Sequence, residues 1–233
     1  MIEGLPLYLT VVFILTTALT VGLFTYAIYR TGFDSAPAKF LFAFVCVWLI
    51  ATAILAFSGF FQNFDVVPPR TFAFGVWPFI ALTLVYLVFF RRFLGRTPLT
   101  VLTIIHVIRI PVEICLLWLY QSGQVPIEMT FEGRNLDIVS GVTAPLVYFL
   151  AFRNGRVNRW LLFIWNLGAL LLLTNIVTIA VLAFPSPFQL AGLDQPNIGV
   201  TYFPFIWLPA VIVPIVFFCH LTSIWKIVAD KIE

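Results

Sequence analysis

Charge is what this sequence has least of. Asp, Glu, Lys and Arg make up only 10% of its 233 residues, against roughly a quarter in soluble domains, so a water-exposed globular domain is excluded. Histidine is scarcer still, with two in the chain, too few for a three-histidine zinc centre. The three cysteines, Cys46, Cys115 and Cys219, are odd in number, irregularly spaced and set within apolar runs. They describe no disulfide framework and are expected to be small buried apolar residues. No basic stretch precedes the first apolar run, which is longer than a signal-peptide core, so that run is expected to stay as a helix. Internal repeats, low-complexity segments, basic clusters suited to nucleic acid and specific catalytic or cofactor motifs are also missing. No cofactor or nucleic-acid partner is expected, and the catalytic residues of any enzyme reading are unknown.

What the chain has instead is apolar surface: 62% hydrophobic residues and a mean hydropathy of +1.07. Seven runs are long enough to cross a bilayer, at residues 5–29, 39–61, 71–90, 99–120, 136–152, 160–184 and 203–225. The expected fold is therefore an all-α integral membrane protein, a seven-transmembrane-helix bundle forming one transmembrane domain over 1–233. Its fifth span is the shortest. The lipid bilayer is its expected partner.

Orientation follows from the basic residues. Arg30 and Lys39, Arg91, Arg92 and Arg96, Arg153, Arg156 and Arg159, and Lys226 and Lys231 account for ten of the thirteen Lys and Arg and fall on one side. Arg70 and Arg134 fall on the other. The positive-inside rule makes the crowded side cytoplasmic, with the N-terminus outside, in a cell (inner or plasma) membrane. Trp118, Tyr120, Tyr202, Trp207, Trp160 and Trp225 then sit where interfacial aromatic belts belong. Pro and Gly punctuate two longer outer connections, 121–135 and 185–201, which are expected to pack against the outer mouth of the bundle.

Ionisable residues inside spans cost about 2.5–3.5 kcal/mol each at a helix centre and are candidates for function. They concentrate in the fourth span, where His106, Arg109 and Glu113 fall on one face. Counted along the helix rise from the cytoplasmic ends, His106, Asn166 and His220 lie about 9–10 Å in, and Glu113 and Asn175 about 21–23 Å in. The first three form one expected layer and the last two an outer one, within reach of Ser140 and Thr143. Pro111, Pro145, Pro209 and Pro214 free the carbonyls of Val107, Gly141, Phe205 and Ala210, which become extra acceptors.

These residues support two functional readings and a structural one. In the first, the fourth to seventh helices surround a polar cavity that binds or transports a small polar or anionic solute. Glu132, Arg134 and Asp137 line its mouth, and His106, Arg109, Glu113, Asn166, Asn175 and His220 line its interior. The second is a membrane-embedded enzyme with His106 or Glu113 as general base and Arg109 stabilising negative charge. The third is an accessory protein whose polar core only holds helices together, with Arg109 and Glu113 neutralising each other four residues apart. A facing His106 and His220, with Cys46 nearby, leaves a metal or haem site open as a further variant.

A retinal protein would need a lysine deep in its last helix, and Lys226 lies at the end. The paired three-helix repeats of seven-span sugar transporters are not evident. The stretches His106–Glu113, Met129–Asp137 and Phe203–Pro209 resemble those of bacterial seven-helix membrane proteins with no established activity. The resemblance covers roughly residues 99–225 and implies the fold and nothing of mechanism.

Overall fold

A computed structural model describes residues 2–231, leaving aside the side chain of Asn154. The described residues are mostly helical with no strand, as expected of apolar segments that must satisfy their own backbone groups. In chain order the main helices are α1 (Leu7–Gly32), α2 (Ala36–Phe57), α3 (Thr71–Phe89), α4 (Leu99–Gln121), α5 (Ile138–Ala151), α6 (Arg159–Leu182) and α7 (Leu208–Val228). All except α5 are long and apolar enough to cross a membrane.

The helices are not equivalent. In α4 and α7, 67% and 61% of the most apolar window is buried, against 22–33% in the other five-turn or longer helices. These two are the centre of the bundle, α4 packed on α1, α5 and α7, and α7 on α2, α3 and α6. The peripheral helices turn apolar side chains outward, including Leu15 and Leu19 on α1, Ile50 and Ile54 on α2 and Ile164 and Leu171 on α6. An outer surface of this kind suits lipid as solvent.

One end of the bundle gathers the basic residues. Lys226 at the end of α7 donates to the Thr97 carbonyl beside the start of α4, and Arg159 at the start of α6 pairs with Asp230 beyond the end of α7. The Asn158 amide donates to the Ala151 carbonyl at the end of α5, and the Tyr86 hydroxyl joins the end of α3 to Pro37 at the start of α2.

Proline shapes both central helices. In α4 the turn Ile105–Ile108 is a 3₁₀ segment that ends three residues before Pro111, which removes the donor for the Val107 carbonyl and disfavours a regular turn behind it. α7 opens with a wide π turn over Leu208–Ile212. The carbonyl of Ala210, deprived of its helical donor by Pro214, accepts from the Trp48 indole at 3.1 Å. The Trp207 indole returns a bond to the Leu49 carbonyl at 3.0 Å. The acceptor freed by Pro214 is thus spent on joining α2 to α7.

The short α5 has a physical cause. Its 14 residues extend about 21 Å, less than the roughly 30 Å of a hydrocarbon core, because the segment before it folds down between the helices. Val125, Met129, Thr130, Asn135 and Asp137 in this segment are buried. Its backbone closes on itself through Met129 to Pro126, Thr130 to Ile127, Arg134 to Glu128 and Asn135 to Thr130 bonds. Irregular backbone at this level is tolerated only when protein covers it. Gly133 is required there: a Cβ would stand 2.1 Å from the Ile127 carbonyl oxygen. The second long connection lies over the first, with Gly199 donating to the Gln124 carbonyl and Gln195 to those of Tyr120 and Val125. The expected packing of both connections on the bundle mouth is observed, and the first penetrates deeper than a surface loop.

Candidate functional site

The site begins where α5 meets α4. Gly141 lets them touch, since a Cβ there would lie 3.0 Å from the Ile110 amide nitrogen and 3.2 Å from Arg109 Cβ. Asp137 stands at the N-terminal boundary of α5 and caps nothing with its side chain, although Asp is a favoured capping residue. Its carboxylate instead accepts from Arg109 Nη1 at 2.7 Å. Both partners are buried, so this is a charge-assisted bond with little water to screen it.

Arg109 also joins α4 to α6 and α7. Nη1 reaches the Ala169 carbonyl at 3.3 Å, and Nη2 lies 2.9 Å from His220 Nε2. A guanidinium only donates, so Nε2 is the acceptor and the His220 proton sits on Nδ1. That nitrogen is 2.9 Å from Asn166 Oδ1, and Asn166 donates its amide to the Leu162 carbonyl at 2.8 Å. The donor and acceptor roles therefore agree from Asp137 through Arg109 and His220 to Asn166.

Glu113, four residues beyond Arg109, has a different partner. Asn135 Nδ2 lies 2.7 Å from both of its oxygens and 3.0 Å from the Met129 carbonyl. Asn135 Oδ1 accepts from the Asp137 amide at 3.0 Å. Two amide hydrogens facing three acceptors leave the Glu113 carboxyl short of donors. It has no ion-pair partner among the described residues.

Glu113 and Asp137 contribute to the wall of a cavity of about 70 Å³ between α3, α4, α6 and the start of α7. The rest of the wall is mostly apolar, with Leu116, Ile176 and Leu208 among its residues, and its other polar members are Thr71 and Asn197. Thr71 Oγ1 and Asn197 Oδ1 are buried without a hydrogen-bond partner among the described residues. The volume suits about two waters or one small organic group. The surface this cavity offers is apolar, with the acceptors of Glu113, Thr71 and Asn197 set behind it, and it fits a small, mainly apolar guest.

Below the cavity, His106 is buried with neither ring nitrogen partnered. Its ring stacks on His220, centroids 3.9 Å apart and planes 15° apart, and meets Trp165 edge-on. Trp165 in turn donates to Thr143 on α5. Parallel stacked imidazoles do not aim their nitrogens at a common point, and both His220 nitrogens are engaged. The arrangement does not fit a metal or haem iron held between the two histidines.

The structure brings together His106, Arg109, Asn166 and His220 at one level and Glu113 and Asp137 above them. It does not bring in Asn175, which is exposed and donates to the Arg134 carbonyl at 2.9 Å, and Glu132 is exposed on the first long connection. The outer layer is completed by Asn135, which sequence reasoning passed over. Its signal was an amide two residues before Asp137 at the edge of a helix, a spacing too common to single out.

A family model described as a domain of unknown function (DUF8737) matches residues 67–228. No curated protein and no solved structure matches the chain.

Proposed function

The chain belongs to the DUF8737 family, and we propose that its bundle is a membrane-embedded binding site for a small, mainly apolar solute ending in an amine or alcohol. The under-donated Glu113 carboxyl in the wall of the apolar cavity carries this reading. A rotation of the Glu113 side chain would bring its carboxyl to the cavity, where an ammonium or hydroxyl would complete it and bury a short hydrocarbon against Leu116, Ile176 and Leu208. An anion is disfavoured, because two carboxyls share that wall and Arg109 is already paired with the Asp137 carboxylate and bonded to His220, leaving its buried Nε without a hydrogen-bond partner among the described residues. The ion pair with Asp137 weighs against an enzyme in which Arg109 meets developing charge. Transport of the bound solute is the extension of this reading.

We also read the chain as crossing a cell membrane seven times. The partly buried 122–136 segment and α5 together make the fifth crossing, and the basic end is cytoplasmic by the positive-inside rule.

The binding reading is tested with purified protein in neutral detergent, comparing propylamine, propanol and propionate. The amine and alcohol raise the unfolding temperature in a saturable way, propionate does not, and Glu113→Gln abolishes the response while leaving the ligand-free protein folded. Equal stabilisation by propionate, or an unchanged response in Glu113→Gln, would overturn it.

A further inference from the structure

At the basic end, a second concavity of about 690 Å³ lies between the 90–98 connection and the end of α7. Arg91, Arg92, Arg96 and Lys231 line it together with Trp225 and Asp230. All four cations are exposed. Asp230, the acid in this wall, is engaged by Arg159, and none of the four cations has a carboxylate partner among the described residues. Arg91 spends only its Nε, on the Leu87 carbonyl at 2.9 Å, which leaves both terminal nitrogens of its fork. Four like charges around one hollow repel each other unless an anion enters.

The surroundings say what kind of anion. The hollow lies where α3 and α7 end, which in the seven-crossing reading is the level at which a bilayer changes from acyl chains to headgroups. Val88 and Phe89 on α3 and Val228 on α7, close in sequence to its lining residues Arg91 and Ala229, are exposed apolar side chains. Trp225 is half-buried at the same level, and indoles favour that boundary. Guanidinium forks match phosphate oxygens in pairs.

We propose that this hollow is a phosphate site that takes the headgroup of an anionic phospholipid, with Arg92 and Arg96 as its main contacts, Arg91 and Lys231 adding charge, and the acyl chains lying along α3. It is separate from the Glu113 cavity and does not rest on the solute reading. A basic pocket among helix ends is a recognised form of anionic-lipid recognition. The same phosphate chemistry could be met by free inorganic phosphate, and the experiment distinguishes the two sources.

The full chain is placed in nanodiscs of phosphatidylcholine with increasing phosphatidylglycerol, both brominated on the acyl chain, and Trp225 quenching is read as the difference between wild type and Trp225→Phe. Lipids retained after extraction are counted by native mass spectrometry. Phosphatidylglycerol is expected to be retained at least about tenfold over phosphatidylcholine, a preference worth about 1.4 kcal/mol. Arg92→Gln with Arg96→Gln should erase that preference while a similar unfolding temperature is kept. If the double variant fails to accumulate, the wild type decides, since a phosphate held by exposed arginines must weaken as salt rises. Millimolar inorganic phosphate that displaces the lipid and is itself retained would identify the free ion as the ligand of the same site, and failure to compete identifies the lipid. Equal retention of both lipids, an unchanged preference in the double variant, or salt-independent retention would each overturn the proposal.

Discussion

Arg109 bonds Asp137, 28 residues away in sequence, at 2.7 Å, although Glu113 lies one turn along its own helix. The fold thus takes the long-range pair over the local one. Glu113 is joined to the same cluster indirectly, because Asn135 donates to its carboxyl and accepts from the Asp137 amide.

This partner choice has a measurable consequence. Removing one member of a buried ion pair costs about 3–5 kcal/mol, and removing both costs less because no charge is stranded. Asp137→Asn is expected to lower thermal stability in detergent strongly, and Asp137→Asn with Arg109→Gln should recover much of the loss. A parallel cycle of Glu113→Gln with Arg109→Gln should show the smaller coupling, since those side chains share no hydrogen bond. Coupling in the second cycle equal to or above that in the first would refute the assignment of partners.

The Trp48 bond to Ala210 makes a second cycle possible. Trp48→Phe strands a buried carbonyl and should cost about 1–3 kcal/mol. Pro214→Ala supplies a backbone N–H four residues after that carbonyl, restoring the helical donor that proline removed. The double variant is therefore expected to be more stable than Trp48→Phe alone. Additive losses in chemical or thermal unfolding would show that the indole bond and the proline are unrelated.

Topology can be read in cells. In a background with Cys46, Cys115 and Cys219 replaced, Asp194→Cys is expected to react with an impermeant maleimide applied to intact cells, and Arg156→Cys only after permeabilisation. The reverse pattern would place the basic end outside and sink the orientation.

The basic residues at one end and the inward placement of His106, Arg109 and Glu113 were legible from composition and helix spacing. Both depend on free energies that a residue carries with it: the cost of putting charge in hydrocarbon, and the 1.5 Å rise that sets its level. The same arithmetic set Asn166, His220 and His106 at one level, and they meet there. It also set Asn175 level with Glu113, yet Asn175 faces outward, because axial height says nothing of rotation about the helix. The partner of Arg109 lay beyond the sequence for a similar reason. Spacing made Glu113 a candidate at i+4, whereas Asp137 arrives only because the 122–136 segment folds into the bundle and Gly141 lets α5 close on α4. A hydropathy window averages over such a segment and records a polar loop. Tertiary structure decided that this loop supplies Asn135 and Asp137 to the core, since only the folded chain covers its backbone.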